Sequence, residues 1–240
     1  MSFFKLLIDP MESYGRHILS NVLNLKLDIT TALDIGCGHG NDLILVKNHY
    51  PKAELFGIDF HSNHSSFLLK KGIQLYEKNI ETDPFPFKNE QLDFVIANQI
   101  LEHCKEIFWI NHQIFRTLNV GGYAFIGVPN TLAFHNRLLG LLGRHPTNIK
   151  SYSAHVRGFS KYDVHQFYET ILPNNVKLVG FFGSQFYPFP KLSSRFLSSI
   201  LPSLAGSNFY LIKKTAPYND EIIKWLDSAK LETNFFGGKH

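Results

Sequence analysis

Residues 31–46 read TALDIGCGHGNDLILV: a short apolar run, a turn with glycine at every second position, then a stretch with helical spacing. This order constrains the fold more than any other part of the chain. A strand entering such a turn can leave it as a helix only where the backbone tolerates positive φ, and the turn then faces its ligand with main-chain amides at a helix N-terminus. The dinucleotide fingerprint G-x-G-x-x-G is not met, because the glycines are Gly36, Gly38 and Gly40 and Asn41 stands where the last one should be. The spacing argues against a pyrophosphate.

Downstream the pattern alternates. AELFGID (53–59) reads as a second strand, with a weak helix after Ser62, a third strand over 72–77 and a fourth over 91–97, QLDFVIA, apolar enough to be buried on both faces. Ile107, Ile110, Ile114 and Leu118 mark a helix, read as stopped by Gly121-Gly122, before the strand YAFIGV (123–128) and Pro129. A covering helix is expected over 11–26, a lid holding the apolar helix FHNRLLGLLG over 130–159, a helix over 160–170, strands near 176–182 and 207–212, and a last helix in EIIKWLDSAKL.

At 240 residues and 44% hydrophobic, one domain over 1–240 accounts for the length: a covering helix (1–29), a ligand-binding half (30–129), the lid (130–159), the rest of the sheet (160–215) and a tail (216–240). The net charge of +4 is small and scattered, so nucleic acid is not an expected partner. Cys37 and Cys104 give neither a disulfide framework nor metal spacing, and a cytoplasmic location fits; the apolar leader MSFFKLLIDP is too short for a signal peptide or a span. Monomer and homodimer stay open.

Two carboxylates belong with the glycine turn. Asp34 lies at the end of the first strand, placed to order the turn and meet a cation. Asp59 closes the second strand, where an acid in this topology accepts both hydrogens of a ribose diol; the alternative is a helix cap.

LDIGCGHG, GIDF, LDFVIANQILEH and LNVGGYAFIGVPN, in this order and spacing, resemble the motifs of class I methyltransferases that use S-adenosylmethionine and release S-adenosylhomocysteine. The resemblance covers 31–129 in register and runs more loosely to about residue 214. It implies, with the alternation, an α/β doubly wound, Rossmann-like seven-stranded mixed sheet with one antiparallel edge strand and helices on both faces. It implies cofactor contacts by Asp34, Gly36, Cys37, Gly38, Gly40, Asp59, Phe60, Asn79, Ile80, Asn98 and Gln99. Relatives usually carry Asp where this chain has Asn79, whose side-chain oxygen can accept the same adenine hydrogen bond.

A hydroxyl acceptor calls for a base, and His103 of ILEH and His155 of SAHVRGFS are the candidates. His103 could instead fix a helix start. Some ubiquinone-type relatives carry Glu-x-x-Glu-His here, implicated in holding a divalent cation; Gln99 replaces the first acid, so no metal is expected. Arg157 is a candidate for an anionic group on the acceptor, the alternative being a tie between lid and core through a carboxylate. Asn130 and Tyr187 complete the candidate acceptor contacts, and His135 is read as facing solvent. NRLLGLLGR and SRFLSSILPSL are more apolar than surface loops require, either because they pack on the core or a subunit, or because they form a greasy mouth or a peripheral membrane contact.

The stretches ILEH, VPN and HVRGFS look most like methyltransferases of ubiquinone-type and glycan pathways, which implies a small-molecule or carrier-linked acceptor with oxygen as the acceptor atom. The rivals are a non-catalytic S-adenosylmethionine-binding scaffold, which would keep the turn but lack an acceptor pocket, and a nicotinamide-dependent oxidoreductase, disfavoured by the glycine spacing.

Overall fold

A computed structural model describes residues 14–238. The leader MSFFKLLIDP and the start of the expected first helix lie outside these residues. Helix α1 runs over Arg16–Leu23, and then β1 Thr31–Ile35, α2 Asn41–His49, β2 Glu54–Asp59, α3 Ser65–Lys70, β3 Ile73–Glu77 and β4 Leu92–Asn98 follow. A 3-10 turn, Leu101–His103, leads into α4 Ile107–Thr117, β5 Leu118–Pro129, α5 Phe134–Leu141 and α6 Lys161–Ile171. The chain continues through β6 Val176–Ser184, α7 Lys191–Ile200, a 3-10 turn Pro202–Leu204, β7 Ser207–Lys214 and α8 Glu221–Ser228.

The strands form one seven-stranded sheet in the order β3-β2-β1-β4-β5-β7-β6. All neighbours are parallel except β7, which is antiparallel to both β5 and β6 and lies one place in from the β6 edge. Both faces are dry because successive side chains alternate between two apolar clusters. Leu33, Ile35, Val95, Ala97, Ile126 and Val128 point to one face, where α4, α6 and α8 cover them with Ile110, Phe115, Val164 and Ile222. Ala32, Phe94, Ile96, Phe125 and Phe209 point to the other, under Leu19 and Val22 of α1 and Leu43 and Val46 of α2.

Asp93 fastens three strands. Its carboxylate accepts from the Thr30 and Thr31 amides at 2.8 and 3.0 Å, from both threonine hydroxyls, and from Asn119 Nδ2 at 2.7 Å. Partial burial raises its proton affinity, but these bonds outweigh burial and hold the carboxyl below its usual range. The Gly121-Gly122 pair does not stop α4, contrary to the sequence reading. The helix ends at Thr117, Leu118 turns extended, and β5 passes through both glycines after a register shift against β4 between Leu92 and Phe94.

From β1 the chain builds outward to β3, then returns to place β4 on β1's other side. The crevice at the carboxyl ends of β1 and β4 is therefore the switch point at which open α/β sheets bind ligands.

Candidate functional site

The glycine turn crosses that crevice. Gly36, Gly38 and Gly40 have φ of 72°, 49° and 68°, in the left-handed region that side chains disfavour. The amides of Gly36 and Cys37 both donate to Ile58 O, at 2.8 and 3.1 Å, tying the turn to β2. Position 36 also has no room: a Cβ there would lie 2.7 Å from Ile100 Cδ1. The free end of the turn reaches Asp59, whose Oδ2 accepts from Gly38 N at 2.9 Å while Oδ1 accepts from His61 N at 3.1 Å. Each carboxylate oxygen is thus oriented by one amide and keeps a lone pair for a ligand. Cys37 is buried, and its thiol is pushed up chiefly by burial, with Asp34 and Asp59 adding to it.

Beneath the turn lies a cluster of like charges. Asp34 and Asp42 are 4% and 6% exposed. Asp34 is held well above the usual carboxylate range, first by burial, then by Asp42 and Asp59, with Arg16 offsetting only part. Arg16 Nε donates to Asp42 Oδ1 at 2.6 Å, and Asn98 Nδ2 donates to Asp42 Oδ2 at 2.7 Å and to Tyr14 O at 2.9 Å, so α1 is strapped over the crevice. Buried carboxylates grouped in this way favour a positive charge beside them, which Arg16 supplies in part.

Several polar atoms at the end of β4 are buried without a hydrogen-bond partner: Asn98 Oδ1, Gln99 Nε2 and Glu102 Oε2. Gln99 has φ of 56° and its amide donates to Gly127 O at 2.8 Å, which turns the chain sharply at the strand end. Buried polar groups are seldom left unpaired, so these unpartnered atoms at the carboxyl end of β4 suit a polar ligand in the crevice. Together with the carboxylate cluster, they suit the sulfonium, ammonium and ribose groups of S-adenosylmethionine.

Glu102 also anchors a strap, residues 154–157. Glu102 O accepts from Val156 N and Arg157 N at 2.8 and 3.2 Å, and His103 Nδ1 bonds Ala154 O at 3.2 Å. The His103 and His155 rings meet edge to face with centroids 4.7 Å apart, and Glu102 Oε1 lies 3.9 Å from His103 Nε2. Glu102 is 2% exposed, and burial raises its carboxyl to about 7. His155 is pushed down by burial and by His103, against a raising contact with the Asn148 backbone, and its Nδ1 is buried unpartnered. Ligating atoms of Glu102, His103 and His155 lie within 4.8 Å of one another, a spacing that a metal ion or a bridging water could span. Beneath the strap a cavity of about 180 Å³ is lined by Leu101, Ile107, Val128, Arg157, Phe159 and Tyr168 among others.

Arg157 ties lid to core, though its hydrogen bonds go to carbonyls: Nε to Cys104 O at 3.1 Å and Nη2 to Lys105 O at 2.6 Å, with Phe235 against the guanidinium. The base of the lid is closed by Thr131 N to Phe159 O at 2.8 Å and Phe159 N to Thr131 Oγ1 at 3.1 Å. Asn130 is 1% exposed and devotes its side chain to the backbone, donating to Ser203 O and Ala205 O and accepting from Leu132 N. Asn79 Oδ1 accepts from Glu81 N at 3.0 Å, ordering the turn after β3, and Ile80 is buried beside it. Phe60 is 62% exposed. Tyr187 stands edge-on to His135 at 5.3 Å, and His135, expected to face solvent, is half-buried and bonded to Thr147 Oγ1 at 3.0 Å.

Arg16, Asp42 and Glu102 were missed as site residues. For Glu102 the local signal was its place beside His103; for Arg16 and Asp42 no local pattern existed, because they meet across the fold.

A family profile described as a methyltransferase domain matches residues 13–167. Trans-aconitate 2-methyltransferase of Enterobacter sp. (strain 638) is 27% identical over 107 residues, covering 44% of this chain and 41% of that protein. Malonyl-[acyl-carrier protein] O-methyltransferase of Legionella pneumophila is 28% identical over 119 residues, covering 45% and 39%. The matched stretch thus spans about two-fifths of each curated relative. Among solved structures, a SAM-dependent methyltransferase from Archaeoglobus fulgidus superposes with a TM-score of 0.56 at 17% identity, covering 89% of this chain and all of that one, a likeness of fold.

Proposed function

Because the chain belongs to the methyltransferase-domain family, a class I fold that uses S-adenosylmethionine, we propose that it moves a methyl group to a hydroxyl oxygen of a small or carrier-linked acceptor. When bound, the cofactor supplies an electrophilic methyl carbon on a sulfonium.

The chain's own residues have three tasks. Asp59, fixed by Gly38 N and His61 N, takes the ribose hydroxyls, with Phe60, Asn79 and Ile80 on the adenosine side. Asp34 and the unpaired amide of Gln99 hold the amino-acid end, while Cys37, Gly38 and Gly40 bring main chain close and Asn98 fastens α1 as a cover. The strap excludes water and places the acceptor in line with the methyl carbon, so that little else is required of the protein.

The observation that carries the hydroxyl reading is the Glu102, His103, His155 cluster. A carboxylate acceptor is already ionised and needs no base, whereas a hydroxyl must lose a proton as it attacks. With Nδ1 committed to Ala154 O, His103 has Nε2 available to take that proton, and Glu102 and His155 lie beside it to stabilise or relay the charge. Arg157 lines the cavity from the strap, while Asn130 and Tyr187 stand outside this reading, one spent on the backbone and the other against the lid helix.

A second reading has support as well: the curated relatives are named for trans-aconitate and for malonyl-acyl carrier protein, both acids. Radiolabelled methyl transfer to matched hydroxyl and carboxyl acceptors, free and carrier-linked, tests both. Hydroxyl transfer should rise with pH through the titration of the cluster and fall roughly 100-fold or more in His103→Ala, with affinity for S-adenosylhomocysteine nearly unchanged. Transfer only to carboxyl acceptors, flat in pH and indifferent to His103, would replace the hydroxyl reading with the carboxylate one. Cofactor binding without transfer to any acceptor would favour a binding protein.

A further inference from the structure

The lid helix α5 and helix α7 are built inside out. A surface helix of a globular protein normally turns its apolar stripe to the core. In α7, Leu192, Phe196 and Ile200 recur at every fourth residue and face solvent, Leu192 at 84% exposure, while Ser198 is buried at 3% and Ser194 Oγ accepts from Phe186 N at 2.6 Å. In α5 and the turn after it, Leu138, Leu141 and Leu142 are exposed, whereas Asn136 is 3% exposed and accepts from Thr147 N at 2.9 Å. The two helices are joined where Phe134 meets Phe186 and Phe189, with ring centroids 5.7 and 6.4 Å apart. Apolar rows facing outward over polar ones mark a surface that meets another apolar medium.

We propose that this rim docks on an anionic lipid bilayer, with α5 and α7 lying in the interface. Charge selects the occupant. None of the chain's 20 acidic residues falls within 107–162 or 170–219, the two segments that carry these helices, while Arg137, Arg144 and Lys150 in the first of them are exposed. A two-fold contact between copies would set these cations against their own images, whereas anionic headgroups complement them. No helix among the described residues is long and apolar enough to cross a membrane, so the contact is peripheral. The docked rim would lie beside the lid and deliver amphipathic acceptors to the strap from the bilayer.

The test needs neither cofactor nor acceptor, so its outcome is independent of the methyl-transfer reading. The full chain is sedimented with vesicles of phosphatidylcholine, with and without phosphatidylglycerol. The expected result is binding to the anionic vesicles that weakens as salt is raised, and a roughly tenfold or greater loss in Leu192→Ser/Phe196→Ser with an unchanged melting temperature, since both side chains are exposed. Arg137→Glu/Arg144→Glu should lose binding while keeping the apolar rows. Absence of wild-type binding, indifference to phosphatidylglycerol, or equal binding by the serine variant would overturn the proposal. So would a concentration-dependent dimer that the serine variant dissolves, which would assign the rim to a second copy.

Discussion

Gly38 N donates to Asp59 Oδ2 at 2.9 Å, so the glycine turn after β1 and the acid at the end of β2 form one mechanical unit. The turn cannot shift without moving the carboxylate.

Asp59→Ala removes the anchors for Gly38 and His61 together with the carboxylate proposed above to take the ribose hydroxyls. Charge-assisted bonds of this kind contribute about 1.5–3 kcal/mol each, so affinity for S-adenosylhomocysteine should fall roughly 10- to 100-fold by calorimetry. Asp59→Asn, which keeps an oxygen acceptor, should fall between the two proteins.

Gly36→Ala meets two costs, positive φ and a Cβ 2.7 Å from Ile100 Cδ1. Together they should lower stability by about 2–4 kcal/mol in urea titrations. Gly36→Ala/Ile100→Ala should regain only the steric part, and full recovery would show that φ costs nothing there.

Asp34, held above the usual carboxylate range, is protonated in part as pH falls, and a protonated Asp34 attracts a cationic ligand less. Affinity for S-adenosylmethionine should therefore strengthen as pH rises. Asp34→Asn should weaken binding and flatten that dependence, and a wild-type profile already flat would refute it.

Glu102 binds its proton more tightly folded, at about 7, than its ordinary 4.5. The folded form then holds the proton where the unfolded chain has released it, so the native state loses stability as pH rises from about 4.5 through 7 and keeps that deficit above. The full difference corresponds to about 3 kcal/mol. Glu102→Gln should be more stable than the wild type at pH 8 and nearly equal to it at pH 4 in thermal melts.

The strands and helices around the turn were legible from their order: β1 is a short run buried at every position but its first, and α2 follows at once where the glycines end. Gly121 and Gly122 misled because a glycine pair reads as a helix stop, while the residue that ended α4 was Leu118, drawn into pairing with Leu92. Asp59 was readable as a motif position, but the Arg16–Asp42 pair exists only once α1 lies over α2. Glu102 read as part of an incomplete metal pattern; what sets its proton affinity is burial, which a sequence does not spell out. Arg157 could be singled out by type but not its partners, since the carbonyls of Cys104 and Lys105 are common to every residue type.

The lid excursion that opens at Thr131 is clasped at its base by Phe159, and the strap at 154–157 is laced by main-chain bonds to Glu102. These bonds hold its two ends together, and Asn148 and Ser153 at its far end bear on His155. The segment 132–147, which is bonded within itself from Asn136 to Thr147, is therefore the part to exchange, and swapping it between relatives offers a route to new acceptor selectivity without rebuilding the machinery that holds the methyl donor.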